Sequence, residues 1–217
     1  MQRTFLLLWR LKLPEFWNSL LTEKSWDLLL KIAKEPFKFV LIGGWATYLW
    51  TKQHKSKDID IALTDIKELD YLKQKYDLKK NDNLKKYEIS FGDIDIDIYA
   101  PYFSKLSMPV EDLKDYSAKV EGLSVLKPEP LLILKQGAEF DRKDSVKGIK
   151  DQIDIMTLLF FTGFDFKLYF DLLKKYRIEH YFQRLKQIVN NYKEYNYLNL
   201  TPRELKLKKK EIVKKFK

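Results

Sequence analysis

Two short stretches of this chain carry aspartate at every second position with an aliphatic residue in between. Asp58-Ile59-Asp60 lies in the run from Lys57 to Leu63, and Asp93, Asp95 and Asp97 alternate with isoleucine in the run ending at Tyr99. A helix would scatter these carboxylates around its axis. A strand sends successive side chains to opposite faces, so it puts Asp58 with Asp60, and Asp93 with Asp95 and Asp97, on one side and the isoleucines on the other. Both runs are expected to be strands of one sheet, apolar on its buried face and acidic on the other. Carboxylates stacked along a strand repel one another unless a cation or basic side chains neutralise them. The acidic face therefore reads as a functional surface or a well-exposed one.

The surrounding sequence supplies more of the sheet. Lys38 to Ile42 is a short apolar strand, and Gly43-Gly44 then makes a sharp turn into a helix through Trp45, Tyr48 and Leu49. Without Cβ atoms, such a turn lets backbone amides approach a phosphate chain, and the helix N-terminus that follows favours the anion. The pair matches neither a Walker loop nor a dinucleotide fingerprint. Lys85 to Ser90 and Asp93 to Tyr99 flank Phe91-Gly92 and predict a hairpin, and Ala118 to Leu126 is expected to add another. Thr64 is the expected cap of a helix with Glu68 in its first turn. Residues 14–34 read as one or two amphipathic helices, with Ser25 as N-cap of the second. The Asp93-Asp95-Asp97 spacing opens like a calcium-binding EF-hand loop. That reading fails, because Ile98 stands where glycine is required and Ser104 where glutamate is required.

At Lys127-Pro128 the pattern changes to helices. Pro128 suits a first helical turn, residues 145–161, 165–175 and 178–194 continue at helical spacing, and Thr201-Pro202-Arg203-Glu204 is a capping box opening a basic final helix. The expected organisation is an α/β unit over residues 1–126, with its N-terminal helices, and an all-helical unit over residues 127–217. The aromatics between Phe166 and Tyr192 fall at helical spacing and are expected in the core.

Composition narrows the chemistry. The chain has no cysteine, which excludes a disulfide framework, a thiolate zinc site and a thiol nucleophile. Cysteine absence fits a reducing cytoplasm, no run reaches transmembrane length, and the expected location is cytoplasmic, away from membranes. A formal net charge of +10 favours polyanionic partners, nucleic acid or nucleotide phosphates among them. Lys52, His54, Lys55 and Lys57 cluster just before the acid pair, where they could steer phosphate towards it.

On a strand, Asp58 and Asp60 stand about 6.6 Å apart, and a carboxylate on the adjacent strand is about 4.8 Å away. Carboxylates so spaced can bridge two divalent cations about 3.5–4 Å apart, and magnesium prefers such oxygen ligands. The third carboxylate can also take the proton of an attacking hydroxyl. Spacing alone leaves Asp95 and Asp97 open for that place.

The order of the glycine pair, a helix, SKDIDIAL and DIDIDIY resembles the DNA polymerase beta-type nucleotidyltransferase superfamily. The resemblance implies a small mixed β-sheet flanked by helices, an all-helical C-terminal domain, and transfer of a nucleoside monophosphate from an NTP to an acceptor hydroxyl with two Mg²⁺ ions. Carried onto this chain, it implies Gly43 and Gly44 at the phosphates and Asp58, Asp60 and Asp97 as metal ligands. Asp97 is preferred to Asp95 because the third acid of that superfamily usually lies close to the end of its strand, which Tyr99-Ala100-Pro101 closes here. A narrower resemblance is to AbiEii-like toxin nucleotidyltransferases. HKSKDID is similar to their R-x-T-x-D-h-D segment, with His54 and Ser56 at the arginine and threonine places, which adds Ser56 and Lys57 to the nucleotide-binding set. LLILKQGAEF followed by KDQIDIMTLL resembles their helical segment and nominates Lys135, Lys150, Asp151 and Asp154, with Lys135 catalytic and the two acids orienting the nucleotide. The resemblance implies ATP or another NTP as substrate, an acceptor such as the end of an RNA (tRNA among them), a protein or a small molecule, and a cognate protein partner in a toxin–antitoxin pair. The competing expectation is a non-catalytic module of such a pair that binds nucleic acid or its partner through the basic surface.

Overall fold

The computed structural model describes residues 19–143 and 145–216. Its frame is a mixed sheet of seven strands: β1 (Phe39–Ile42), β2 (Ile59–Leu63), β3 (Lys79–Asn81), β4 (Lys86–Phe91), β5 (Ile94–Tyr99), β6 (Ser117–Val120) and β7 (Leu123–Leu126). They lie in the order β3-β4-β5-β2-β1-β7-β6. β2 runs parallel to β5 and β1 parallel to β7, and the remaining neighbours are antiparallel. The helices are α1 (Ser19–Ile32), α2 (Gly43–Thr51), α3 (Glu68–Lys75), α4 (Pro128–Arg142), α5 (Val146–Phe161), α6 (Phe166–Lys175), α7 (His180–Asn191) and α8 (Pro202–Lys214).

The alternation of the two acidic runs produces the expected faces. Ile59 and Ile61 of β2 and Ile94, Ile96 and Ile98 of β5 are buried, and the aspartates between them stay at least partly open. The β4–β5 and β6–β7 turns both enter the left-handed region, with a glycine in each. Gly92 has φ +62°, and Glu121 and Gly122 have φ +49° and +82°. The mixed sheet flanked by helices is the one expected, with one strand more than the sequence marks. β3 is a short, wholly polar edge strand, and Ala118 to Leu126 lies in a second hairpin, β6–β7. Both acidic strands start later than their alternation predicts: β2 begins at Ile59 with Lys57 and Asp58 ahead of it, and Asp93 belongs to the Gly92 turn, so only Asp95 and Asp97 sit on β5.

α2 packs against β1 and β2 and also against α4 and α5. Two tryptophans fix it. The Trp45 indole N–H donates to Ser25 Oγ at 2.9 Å, and the Trp50 indole to the Leu126 carbonyl at 2.8 Å. Ser25 is thus a buried acceptor within a continuous α1 and caps nothing, since a helix cap requires a break that the apolar face of α1 does not contain. Thr64 likewise does not cap α3. Its hydroxyl donates to the Lys38 carbonyl, and Asp65 Oδ1 accepts the Lys67 amide in the turn ahead of the helix. The capping box of α8 is present, with Thr201 Oγ1 accepting the Glu204 amide and Glu204 accepting the Thr201 amide. Every regular element after Leu126 is helical. The part of the expected helical region at residues 14–18 lies outside the described residues. Among the described residues no helix is long and apolar enough to cross a membrane.

Candidate active site

A cavity of about 710 Å³ opens between the acidic face of the sheet and the first two helices of the C-terminal half. Asp58, Asp60 and Asp97 line one wall, the Ile42-Gly43-Gly44 bend lies at its edge, and Lys135, Arg142, Lys150 and Asp151 line the wall opposite.

The bend follows from atomic crowding. Gly43 has φ +68°, and a Cβ there would sit 2.0 Å from Asp60 Oδ2. At Gly44 a Cβ would sit 2.5 Å from Ser56 Oγ and 3.7 Å from Lys150 Nζ. Real Cβ atoms do not approach so closely, so the two glycines let the Asp60 carboxylate and Ser56 press against the backbone of the bend. The bend also starts α2, whose first amides receive no side-chain cap. Those donors are partial positive charge at the cavity edge.

The strand register organises the acids. Asp60 is the direct partner of Asp97 across the parallel β2–β5 pair, and Glu88 is the direct partner of Asp97 across the antiparallel β4–β5 pair. Three carboxylates therefore form a row over three adjacent strands. Asp58 lies one strand step from Asp60, just ahead of β2, and is partly buried. Burial raises its pKa, and the Asp60 carboxylate raises it further. Asp97 is pushed up to about 7, chiefly by burial and then by Asp60, against the opposing pull of Lys86. Lys86 Nζ lies 2.7 Å from Asp97 Oδ2 and 2.9 Å from Glu88 Oε1, with only 13% of its side chain exposed. Asp95 is exposed, accepts from the Ser90 hydroxyl at 2.8 Å, and is not among the residues lining the cavity.

The opposite wall is a network of ion pairs. Lys135 of α4 lies 2.6 Å from Asp154 and 3.7 Å from Asp151, both on α5. Arg142 binds Asp151 through two nitrogens, at 2.7 and 3.1 Å. Burial opposes the charge on Lys135, but Asp154 and Asp151 outweigh it and hold the ammonium firmly protonated. Burial lowers the pKa of Lys150, with the Asp154 carboxylate opposing.

The cavity thus brings together Gly43, Gly44, Asp58, Asp60, Asp97, Lys135, Lys150 and Asp151 from the sequence-based set. Asp154 stands behind the wall as the partner of Lys135, and Ser56 is buried beneath Gly44. Lys57 is not among the lining residues, although its charge reaches Asp58. Lys52 pairs with Glu121, Lys55 pairs with Glu23, and His54 Nε2 contacts the Tyr197 carbonyl, all away from the cavity. Lys86, Glu88 and Arg142 were missed. The hairpin offered a signal for the first two: a two-residue turn at Gly92 and Asp93 pairs Phe91 with Ile94, which counts back to Glu88 opposite Asp97.

Among the described residues, no three acidic or histidine side chains converge closely enough to hold a metal as they stand. The donor chemistry nevertheless fits a hard divalent cation. The carboxylates are crowded and burdened by burial, and no single basic group answers all of them.

No protein-family model and no curated protein matches the chain. Solved structures do resemble it. A candidate nucleotidyltransferase from Helicobacter pylori superposes with a TM-score of 0.50 at 19% identity, over 91% of this chain and 93% of that one. JHP933 from Helicobacter pylori gives a TM-score of 0.48 at 19% identity, over 91% and 90%. An antigenic nucleotidyltransferase-like protein from Paracoccidioides brasiliensis gives 0.39 at 16% identity, over 64% and 75%. The match along nearly the whole length of the first is a likeness of architecture: this chain has the mixed α/β fold of a nucleotidyltransferase-like protein.

Proposed function

We propose that the protein is a metal-dependent nucleotidyltransferase that moves a nucleoside monophosphate from an NTP to an acceptor hydroxyl. The observation that carries this reading is the register of Asp60 beside Asp97 on parallel strands, with Asp58 on the same cavity wall and the Gly43-Gly44 bend at its edge. Asp58, Asp60 and Asp97 are the residues to hold divalent cations, magnesium by their hard oxygen chemistry. When bound, the ions supply charge neutralisation at the reacting phosphate and activation of the attacking oxygen.

The chain's own groups do the rest. The amides of the bend and the first turn of α2 receive phosphate oxygens. Lys150, beside Gly44, and Lys135 set fixed positive charge where negative charge builds as the phosphoryl bond rearranges. Asp151 and Asp154 orient these cations. Asp97, with its pKa near 7, is suited to accept the acceptor hydroxyl's proton.

The narrower reading, an AbiEii-like toxin, draws on HKSKDID and on Lys135, Lys150, Asp151 and Asp154, and the pairing of Lys135 with Asp151 and Asp154 supports it. An RNA end such as that of tRNA is the acceptor that suits the +10 net charge. The test is incubation with each labelled NTP, Mg²⁺ and total cellular RNA. Label transfer is expected with wild type and, for Asp58→Ala, a fall of about a thousandfold, or roughly 4 kcal/mol of barrier. Equal transfer by the variant overturns the assignment.

A further inference from the structure

We propose that Lys86 is an internal counter-cation for the acid row, holding Asp97 in the metal-free protein and handing it over to a divalent ion by shifting onto Glu88. The inference rests on the metal-site reading above and concerns how that site is regulated.

The argument begins with the register. Glu88 and Asp97 face each other directly across β4 and β5, and Asp60 follows on the far side of Asp97. Like charges directly opposite on a sheet destabilise it, and a cation set between them offsets that repulsion. Lys86 supplies one, lying two residues from Glu88 on the same strand and therefore on the same face. Its ammonium spans Asp97 at 2.7 Å and Glu88 at 2.9 Å, and Asn81 gives Glu88 a further, longer bond at 3.4 Å. The side chain lines the cavity yet is largely buried, so the pair is not a loose surface contact.

The same contact accounts for a feature of the acids. Asp60 and Asp97 are adjacent in backbone register, yet their side chains do not converge with Asp58 into a ready cation site. Asp97 is engaged by Lys86 through Oδ2. A divalent ion at Asp58 and Asp60 competes for the same oxygen, with twice the charge. Glu88 gives the ammonium a place to remain when Asp97 turns away, which keeps a buried lysine from being stranded. Lys86 and Glu88 therefore act in opposite directions on the metal. The lysine competes with it, and the glutamate lowers the cost of displacing the lysine.

The prediction is a pair of changes of opposite sign. Mn²⁺ binding to the full metal-free chain is measured by electron paramagnetic resonance and calorimetry at one pH and ionic strength. Lys86→Met is expected to bind Mn²⁺ more tightly, on the order of tenfold, the scale of removing one nearby unit charge. Glu88→Gln is expected to bind it more weakly by a similar factor, because Lys86 is left with Asp97 alone. Lys86→Arg, which keeps the charge, should stay close to wild type and guards against a Met variant that fails to fold. A manganese-bound crystal should show Lys86 Nζ still on Glu88 and beyond about 4 Å from Asp97. Unchanged affinities, or shifts of the same sign in Lys86→Met and Glu88→Gln, overturn the exchange while leaving the metal site intact. Mn²⁺ binding that is absent in wild type, or equal in Asp58→Ala, instead removes the metal-site reading beneath it.

Discussion

The two walls of the cavity are both ionic, but they are balanced differently. On the helical side the buried acids are answered by cations: Asp154 and Asp151 by Lys135, and Asp151 again by Arg142. On the sheet side, carboxylates outnumber the cations that meet them. Asp58 and Asp97 both have raised pKa values through burial and then repulsion by Asp60, and Lys86 alone bridges the row. A buried ion pair that is complete is a structural joint, and removing one partner strands the other. A cluster left under-compensated at a cavity wall holds stability in reserve for a ligand. The difference separates residues that build the cleft from residues that work in it, although both stand out equally in the sequence as charges near a motif.

The largest effect that this contrast predicts is on stability, with opposite signs on the two walls. Asp154→Ala removes the closest partner of Lys135, whose side chain is only 10% exposed. It is expected to cost about 3–5 kcal/mol of unfolding free energy. Asp58→Asn removes a part-buried charge that repels Asp60 and is expected to stabilise the metal-free protein by about 1 kcal/mol. Denaturant unfolding of both variants without divalent ions checks the pair. If the two shift in the same direction, the walls do not differ in the way their ion pairs indicate.

A smaller effect follows with pH. Asp97 titrates at about 7 in the folded chain and near 4, the ordinary aspartate value, when unfolded. Between those values the folded state binds more protons than the unfolded state. Unfolding free energy contributed by this group must therefore fall as pH rises from about 4 to about 7 and level off above. The expected loss is on the order of 2 kcal/mol, discounted because Asp97 keeps some contact with solvent and Lys86 favours its charged form. Denaturant midpoints at pH 5 and pH 8 without metal, repeated with millimolar Mg²⁺, make the comparison. Magnesium should restore most of the loss at pH 8 and little at pH 5. A metal-free midpoint that rises between pH 5 and 8 would show that Asp97 is not burdened as its surroundings require.

How much of this was legible before any coordinates depends on the range of the interactions involved. The acidic strands, the Gly43-Gly44 bend and the β4–β5 hairpin are written in local alternation and turn residues, and the structure has them. The same local rules missed β3, because Lys79-Lys80-Asn81 has no apolar alternation and becomes a strand only by pairing with β4. They misplaced Ser25, whose role as acceptor for Trp45 arises from a residue 20 positions away. Lys86 and Glu88 look like ordinary charges on a strand, and their importance appears only once register sets them against Asp97. Local pattern thus disclosed where the acids are, and long-range pairing decides which charges answer them.

The smallest predicted effect separates both walls from the charges just outside them. The lysines ahead of Asp58 look well placed in sequence to draw phosphate inward. In the structure Lys52 is paired with Glu121 and Lys55 with Glu23, each lysine side chain being more than a third exposed. Exposed pairs of this kind contribute about 0.2–1 kcal/mol at most, and salt screens them further. Neither lysine lines the cavity, whereas Lys150 lies within it beside Gly44. Replacing Lys52 and Lys55 together by alanine should change the KM for NTP less than about twofold in 0.15 M salt, where the Debye length is about 8 Å. Lys150→Ala should raise that KM by about tenfold or more, as expected for loss of a charge-assisted phosphate contact. A double lysine variant that matches Lys150→Ala in KM would move the phosphate path out of the cavity and onto the loop ahead of β2.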